Sequence, residues 1–197
     1  MAQEKKKIKL ASGKVGGTRV VSITAKIVLI FVIFILASNF TSNTINLFFN
    51  RAELIKLMKQ LLVKDLKELY TYANNEYEIY NFNKDITNSI ADLQQKATND
   101  LKKSKSVALG ILPEGKLLFR AELFPGEPQF DDTNALAEMN RQKAQGATEG
   151  TILFLYHGEN YYGVYKFNPR WNAYLVRAEE LKEFYQDSVR IFRDISI

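Results

Sequence analysis

The residues best suited to chemistry lie in two stretches. One is Tyr161-Tyr162-Gly163-Val164-Tyr165-Lys166-Phe167-Asn168-Pro169-Arg170-Trp171-Asn172-Ala173-Tyr174, and the other is Asp131-Asp132. Tyr161, Tyr165, Trp171 and Tyr174 are side chains of the kind that box a small organic ligand, with Arg170, Asp131 or Asp132 reading its charge. Each also has a plainer use. Inward aromatics on strands build core, a pair of aspartates caps a helix, and an arginine stacks on a neighbouring tryptophan. Catalysis has less to work with. His157 is the single histidine, and it precedes Gly158 in a turn, where it reads as solvated. The chain has no cysteine, so disulfides and thiolate zinc sites are excluded. No paired-carboxylate arrangement, nucleophile elbow, phosphate-binding loop or dinucleotide fingerprint occurs. No catalytic residue, metal site or cofactor is therefore expected, and the chain does not read as an enzyme.

The elements that position these residues form an α+β order. No proline or glycine interrupts the chain from Thr18 to Gly110. Leu54, Leu57/Met58, Leu61/Leu62, Leu66, Leu69, Ala73, Tyr77 and Tyr80 recur at helical spacing. Asp65 and Glu76 spoil a strict heptad, which argues against a long coiled coil. Asn81-Phe82-Asn83-Lys84-Asp85 reads as a break and a new cap, followed by a helix with Ile86, Ile90, Leu93, Ala97 and Leu101 on one face. Alternation then predicts a hairpin over Val107–Ile111 and Leu117–Ala121, turned at Pro113-Glu114-Gly115. Three more strands are expected at 151–156, 161–167 and 173–177. Thr151-Ile152-Leu153-Phe154-Leu155-Tyr156 is apolar on both faces and reads as a central strand. Parity places Tyr161, Gly163, Tyr165 and Phe167 opposite Lys166, and Tyr174 and Val176 opposite Arg177, with both basic residues facing water. The excursion 124–150 holds a helix capped at Asp131-Asp132-Thr133 and running to Ala144. The final stretch, 179–197, reads as an amphipathic helix.

The charge is uneven. The net +5 comes from the first 26 residues, where seven basic residues face Glu4 alone; residues 51–197 are nearly neutral. Ile27 to Asn50 carries no charge. At about 1.5 Å per residue those 24 residues reach roughly 36 Å, enough for a hydrocarbon core of roughly 30 Å. The basic flank predicts a cytoplasmic N-terminus in the inner (cytoplasmic) membrane and an extracytoplasmic domain after about residue 50. A cleaved signal peptide ending at Ile35-Leu36-Ala37 is the rival; the long basic region and unbroken helical pattern favour an uncleaved anchor. Asn39, Asn43, Asn46 and Asn50 recur at spacings of 4, 3 and 4 and fall on one helical stripe. Such a stripe either pairs two copies of the helix or marks the outer water interface. Asn39-Phe40-Thr41 fits a glycosylation acceptor but lies too near the membrane for use.

The expected regions are a basic tail (1–19), a transmembrane helix (20–46), juxtamembrane and domain helices (47–105), an antiparallel sheet (106–178, with the insertion 124–150) and an exit helix (179–197). Together with the 161–181 stretch, this layout resembles the single-module, PAS-like Cache sensor domains of bacterial transmembrane receptors. The resemblance implies a ligand pocket between sheet and insertion, near Tyr161, Tyr165, Arg170, Trp171, Tyr174, Asp131 and Asp132. It also implies a second span and an output domain after the exit helix, here expected to be a nucleotide cyclase. The expected partners are the membrane, a second copy of the chain through its first helix, and a small-molecule ligand; nucleic acid is not expected. The alternative is a membrane-tethered periplasmic interaction or assembly protein.

Overall fold

A computed structural model describes residues 13–15, 18–20, 23–125 and 129–186, and the side chains of all of these except 13–15, 18–20, 47, 48, 50 and 51. The chain divides into two compact units, Met1–Glu53 and Leu54–Ile197.

In the first unit, β1 (Gly13–Val15) pairs antiparallel with β2 (Thr18–Val20), at the end of the expected basic tail and reaching the first residue of the expected span. Helix α1 (Ile23–Asn83) follows. Its segment Ile23–Asn46 is long and apolar enough to cross a membrane, and is consistent with a membrane anchor or a signal sequence. Every side chain from Lys26 to Asn46 is exposed. The Thr41 and Thr44 hydroxyls donate to the carbonyls of Ala37 and Phe40, each at 2.8 Å, so they are satisfied within the helix.

In the second unit, α1 buries Met58, Leu62, Leu66, Leu69 and Ala73, while Leu57 and Leu61 of the anticipated stripe stay exposed. The helix ends in a break where Lys84 adopts a left-handed conformation (φ 59°). Asp85 caps α2 (Ile86–Asn99), accepting from the Asn88 amide at 3.0 Å. The sheet contains β3 (Val107–Ile111), β4 (Leu117–Ala121), β5 (Glu149–Tyr156), β6 (Glu159–Asn168) and β7 (Ala173–Glu180); α3 (Thr133–Ala144) lies between β4 and β5 in sequence. All pairings are antiparallel, in the order β4-β3-β7-β6-β5. The last strand is thus central, and all eight of its residues are buried.

Three expectations are corrected here. β5 is an edge strand, and Leu153 and Leu155 stand exposed on one of its faces. An apolar pattern on both faces records hydrophobicity, not coverage. Arg177 is buried rather than solvated, because α1 and α2 cover the sheet face that it shares with Leu175. Glu179 and Glu180 complete β7 opposite Tyr162 and Tyr161 instead of starting a helix. Residues 181–186 are helical, and the rest of the expected exit helix lies outside the described residues.

Two apolar layers sandwich the sheet. Phe130, Ala135 and Met139 pack with Ile152, Phe154, Tyr161, Tyr165, Phe167, Tyr174 and Val176 on the α3 side. The α1 stripe, with Leu93 and Ala97, packs with Ala108, Phe119, Val164, Trp171 and Leu175 on the other. Gly110 is demanded by this packing, since a Cβ there would lie 2.5 Å from the Phe119 ring. His157 (φ 52°) and Gly158 (φ 75°) form a two-residue turn between the paired Tyr156 and Glu159, the left-handed geometry that matches hairpin twist.

Candidate functional site

The seven residues expected at a ligand pocket separate onto two faces of the sheet. Tyr161, Tyr165 and Tyr174 are buried on the α3 side. Tyr161 stacks on Phe154 with centroids 5.6 Å apart. Tyr174 donates its hydroxyl to Asn140 Oδ1 at 2.8 Å, and Asn140 donates to the Pro113 carbonyl at 3.0 Å. Tyr165 donates to Gln142 Oε1. These three rings therefore fill and pin the layer between sheet and α3. Burial holds each of their hydroxyls above the ordinary tyrosine pKa.

Arg170 and Trp171 lie on the opposite side, against α1. The Trp171 indole donates to the Ala73 carbonyl at 2.6 Å and meets the Tyr77 and Tyr80 rings at centroid distances of 5.2 and 5.8 Å. Arg170 pairs with Glu78 and lies over the Tyr77 ring instead of stacking on Trp171. Asn168 holds the turn in place, accepting from the Arg170 amide at 3.0 Å and donating to Asn74 at 3.0 Å. The β6–β7 turn is thus a docking latch for α1.

Asp131 is exposed, and its carbonyl accepts from the Thr133 amide at 2.9 Å. Asp132 caps α3 through the Ala135 amide at 2.9 Å. Its other oxygen accepts from the Leu155 amide at 2.8 Å, which ties the insertion helix to the β5 edge.

Three features were not anticipated. Arg177 Nη2 lies 3.4 Å from Asp65 Oδ2 and 3.4 Å from the Asp100 carbonyl, linking the central strand to α1 and to the end of α2. Buried Glu122 accepts from the Tyr156 hydroxyl at 2.9 Å, with Arg120 Nε at 3.6 Å and His157 Nε2 at 3.9 Å. His157 is exposed in its turn, as expected, and its ring packs edge-on to Tyr156 and Phe124. Burial and the bond to Glu122 raise the Tyr156 hydroxyl far above its usual range, which suits holding a proton and not base catalysis.

The third is a cleft of about 790 Å³ between α1 and the β5–β6 edge. Lys59, Val63, Leu66, Lys67, Tyr70 and Thr71 line it from α1. Gln142, Glu149, Gly150, Thr151, Val164, Tyr165 and Lys166 complete it. Gly150 sits opposite Tyr165, and a Cβ there would come within 3.1 Å of the Tyr165 hydroxyl. The sequence signal was present in the spacing of 59, 63, 66 and 70, which puts these residues on one helical stripe. Among the described residues no cluster of acidic and histidine side chains is suited to a metal ion. Comparison with family models, curated proteins and solved structures gives no match.

Proposed function

We propose that this chain is the extracytoplasmic input region of a bacterial transmembrane receptor of the Cache type, anchored by its first helix and relaying ligand binding to an output domain such as a nucleotide cyclase. One observation carries the reading. The arriving helix and the departing segment share one apolar cluster: Leu181 and Phe184 pack against the cluster to which Met58, Leu62 and Leu66 of α1 belong. Glu183 adds polar ties, accepting from the Ser104 hydroxyl at 2.5 Å and the Lys105 amide at 3.1 Å. A ligand that favours one packing of this cluster moves the first helix against the last. The layout on which the resemblance rests, five antiparallel strands with a helical insertion after the second, supports it further.

The reading is tested in the full chain held in lipid nanodiscs. The sequence has no cysteine, so spin labels enter cleanly at Leu57→Cys and Lys182→Cys, both exposed. An activating ligand is expected to change the label distance by about 1–2 Å, the scale of known helix shifts. An unchanged distance under every ligand that raises the melting temperature overturns signalling. That outcome favours a membrane-tethered interaction protein, for which the exposed Leu153 and Leu155 edge offers a surface.

Pairing of two copies through the first helix belongs to the same proposal. The exposed amides of Asn39, Asn43 and Asn46 have no hydrogen-bond partner among the described residues, and the Asn50 side chain lies outside them. Replacing all four with leucine is expected to weaken self-association in a bilayer at least about tenfold, at roughly 0.6–2 kcal/mol per interhelical bond. Undiminished energy transfer between labelled copies would remove the stripe from the mechanism.

A further inference from the structure

We propose that the cleft between α1 and the β5–β6 edge binds an organic anion with an apolar body. The inference rests on the sensor reading only for its consequence; binding itself stands on the geometry of the cleft. At about 790 Å³ the space is of the size that encloses a small organic molecule. Val63, Leu66 and Val164 give it apolar walls, and Val63 is 49% exposed, an aliphatic side chain without cover. The charge around it is unbalanced. Lys166 is paired with Glu149 at 2.7 Å and lies over the Tyr70 ring. Lys59 and Lys67 make no ion pair among the described residues, so the cleft carries two uncompensated cations and no uncompensated anion.

The two lysines flank the apolar stripe along α1. Lys59 and Lys67 are eight residues apart, which is about 12 Å of helix rise. Long, flexible stems let both ammonium groups bend toward a head group while their methylenes cover the ligand body. Gly150 keeps the floor open, because any side chain there would press on the Tyr165 hydroxyl and Gln142. Gln142 is already committed, accepting from Tyr165 and donating to Glu138 at 2.6 Å. The floor therefore supplies shape and the lysines supply charge recognition. A neutral apolar molecule would leave both cations unanswered, and a small inorganic anion would leave the aliphatic walls uncovered. The matching chemistry is one acidic group on an alkyl or aryl-alkyl chain, presented either by a soluble acid or by an anionic lipid.

Lysine acetylation footprinting tests this on the full chain in nanodiscs of zwitterionic lipid. The probes are octanoate and 4-phenylbutyrate, with octan-1-ol as the uncharged control. Near 90% occupancy, acetylation of Lys59 and Lys67 should slow about fivefold or more, while Lys64, which is off the stripe, keeps its rate. The exposed variant Lys59→Gln should demand about tenfold more probe for equal protection at Lys67. Protection appearing without probe in discs containing phosphatidylglycerol would assign the anion to the membrane and still support the site. Unchanged rates at Lys59 and Lys67 with both acids and with anionic discs overturn the proposal, as does equal protection by octan-1-ol. Protection with an unchanged distance between labelled helices keeps the site and removes the signalling role, so the two failures are distinct.

Discussion

Replacing Asp65 should expose how strongly the central strand is fastened to α1. The Arg177 side chain is only 3% exposed and its Asp65 partner 12%. Its Nε makes no hydrogen bond, so the guanidinium depends on two contacts of 3.4 Å, to Asp65 and to the Asp100 carbonyl. Breaking a buried pair from one side costs about 3–5 kcal/mol, because a charge is left without a counter-ion. The contact is longer than an optimal charge-assisted bond, which places Asp65→Leu near the lower end, about 3 kcal/mol. Arg177→Met should cost less, about 1–2 kcal/mol, because Asp65 keeps Lys102 at 2.8 Å in a more solvated setting. The double variant should return to within about 1 kcal/mol of the parent, since an apolar pair suits the surrounding layer. Trp171 is the only tryptophan and is buried against α1, so its fluorescence reports unfolding of this unit in the intact chain. With a urea slope of about 2 kcal/mol per M, Asp65→Leu moves the midpoint down by about 1.5 M. A shift below about 0.5 M, or strictly additive costs in the double variant, would refute the buried-charge reasoning.

Trp171→Phe keeps the ring contacts but removes the bond to the Ala73 carbonyl, and should cost about 1–1.5 kcal/mol by thermal melting followed at 222 nm; no loss would mean that the latch is held by packing alone. Gly110→Ala should cost about 2–3 kcal/mol, since the buried Phe119 ring has no room to retreat, and Phe119→Leu in the same chain should recover part of it. Glu179 is held above the usual carboxyl range by burial, with the Ser106 hydroxyl at 2.7 Å partly opposing the shift. The folded state thus keeps this proton to higher pH than the unfolded state, and stability falls as pH rises from the unfolded pKa through the raised folded one. Glu179→Gln retains an acceptor for Ser106 and should flatten that decline in melting temperature; an unchanged pH profile would show that another group sets it.

Local signals were read well from the sequence, and non-local ones were not. The Asp132 cap and the end of α3 at Ala144 stand where turn chemistry placed them, as do the break before α2 and both strands of the β3–β4 hairpin. Each depends on residues within a few positions of one another. The parity of Tyr161, Tyr165, Phe167, Tyr174 and Val176 also holds, and all five join one layer. Parity says which side chains share a face and is silent on what covers it. That gap hid the burial of Arg177, the edge position of β5 and the move of Trp171 to the α1 side. Asp65 looked like a flaw in a coiled-coil pattern because its partner lies 112 residues away. The cleft was hidden for the same reason, since its walls come from α1 and from strands far later in the chain, Thr71 and Glu149 being the nearest such pair in sequence.

The central strand joins these observations. Side chains of β7 alternate between layers, and both layers hold it by polar bonds as well as by packing. Tyr174 reaches Asn140 on α3, while Arg177 reaches Asp65 on α1. Directly after β7 come Leu181 and Phe184, which pack back into the α1 cluster. A displacement of α3 or of α1 relative to β7 therefore breaks a partly buried hydrogen bond or strands a buried charge, each costing more than a small shift of the strand. β6 lies beside β7 and supplies Val164 and Lys166 to the cleft, so an occupant there would press on the neighbour of the strand that leads to the exit. A signal would have two routes to the exit, one through β7 and one through the cluster that Leu181 and Phe184 share with α1, and loss of the Asp65–Arg177 pair should weaken the first while leaving cleft binding intact.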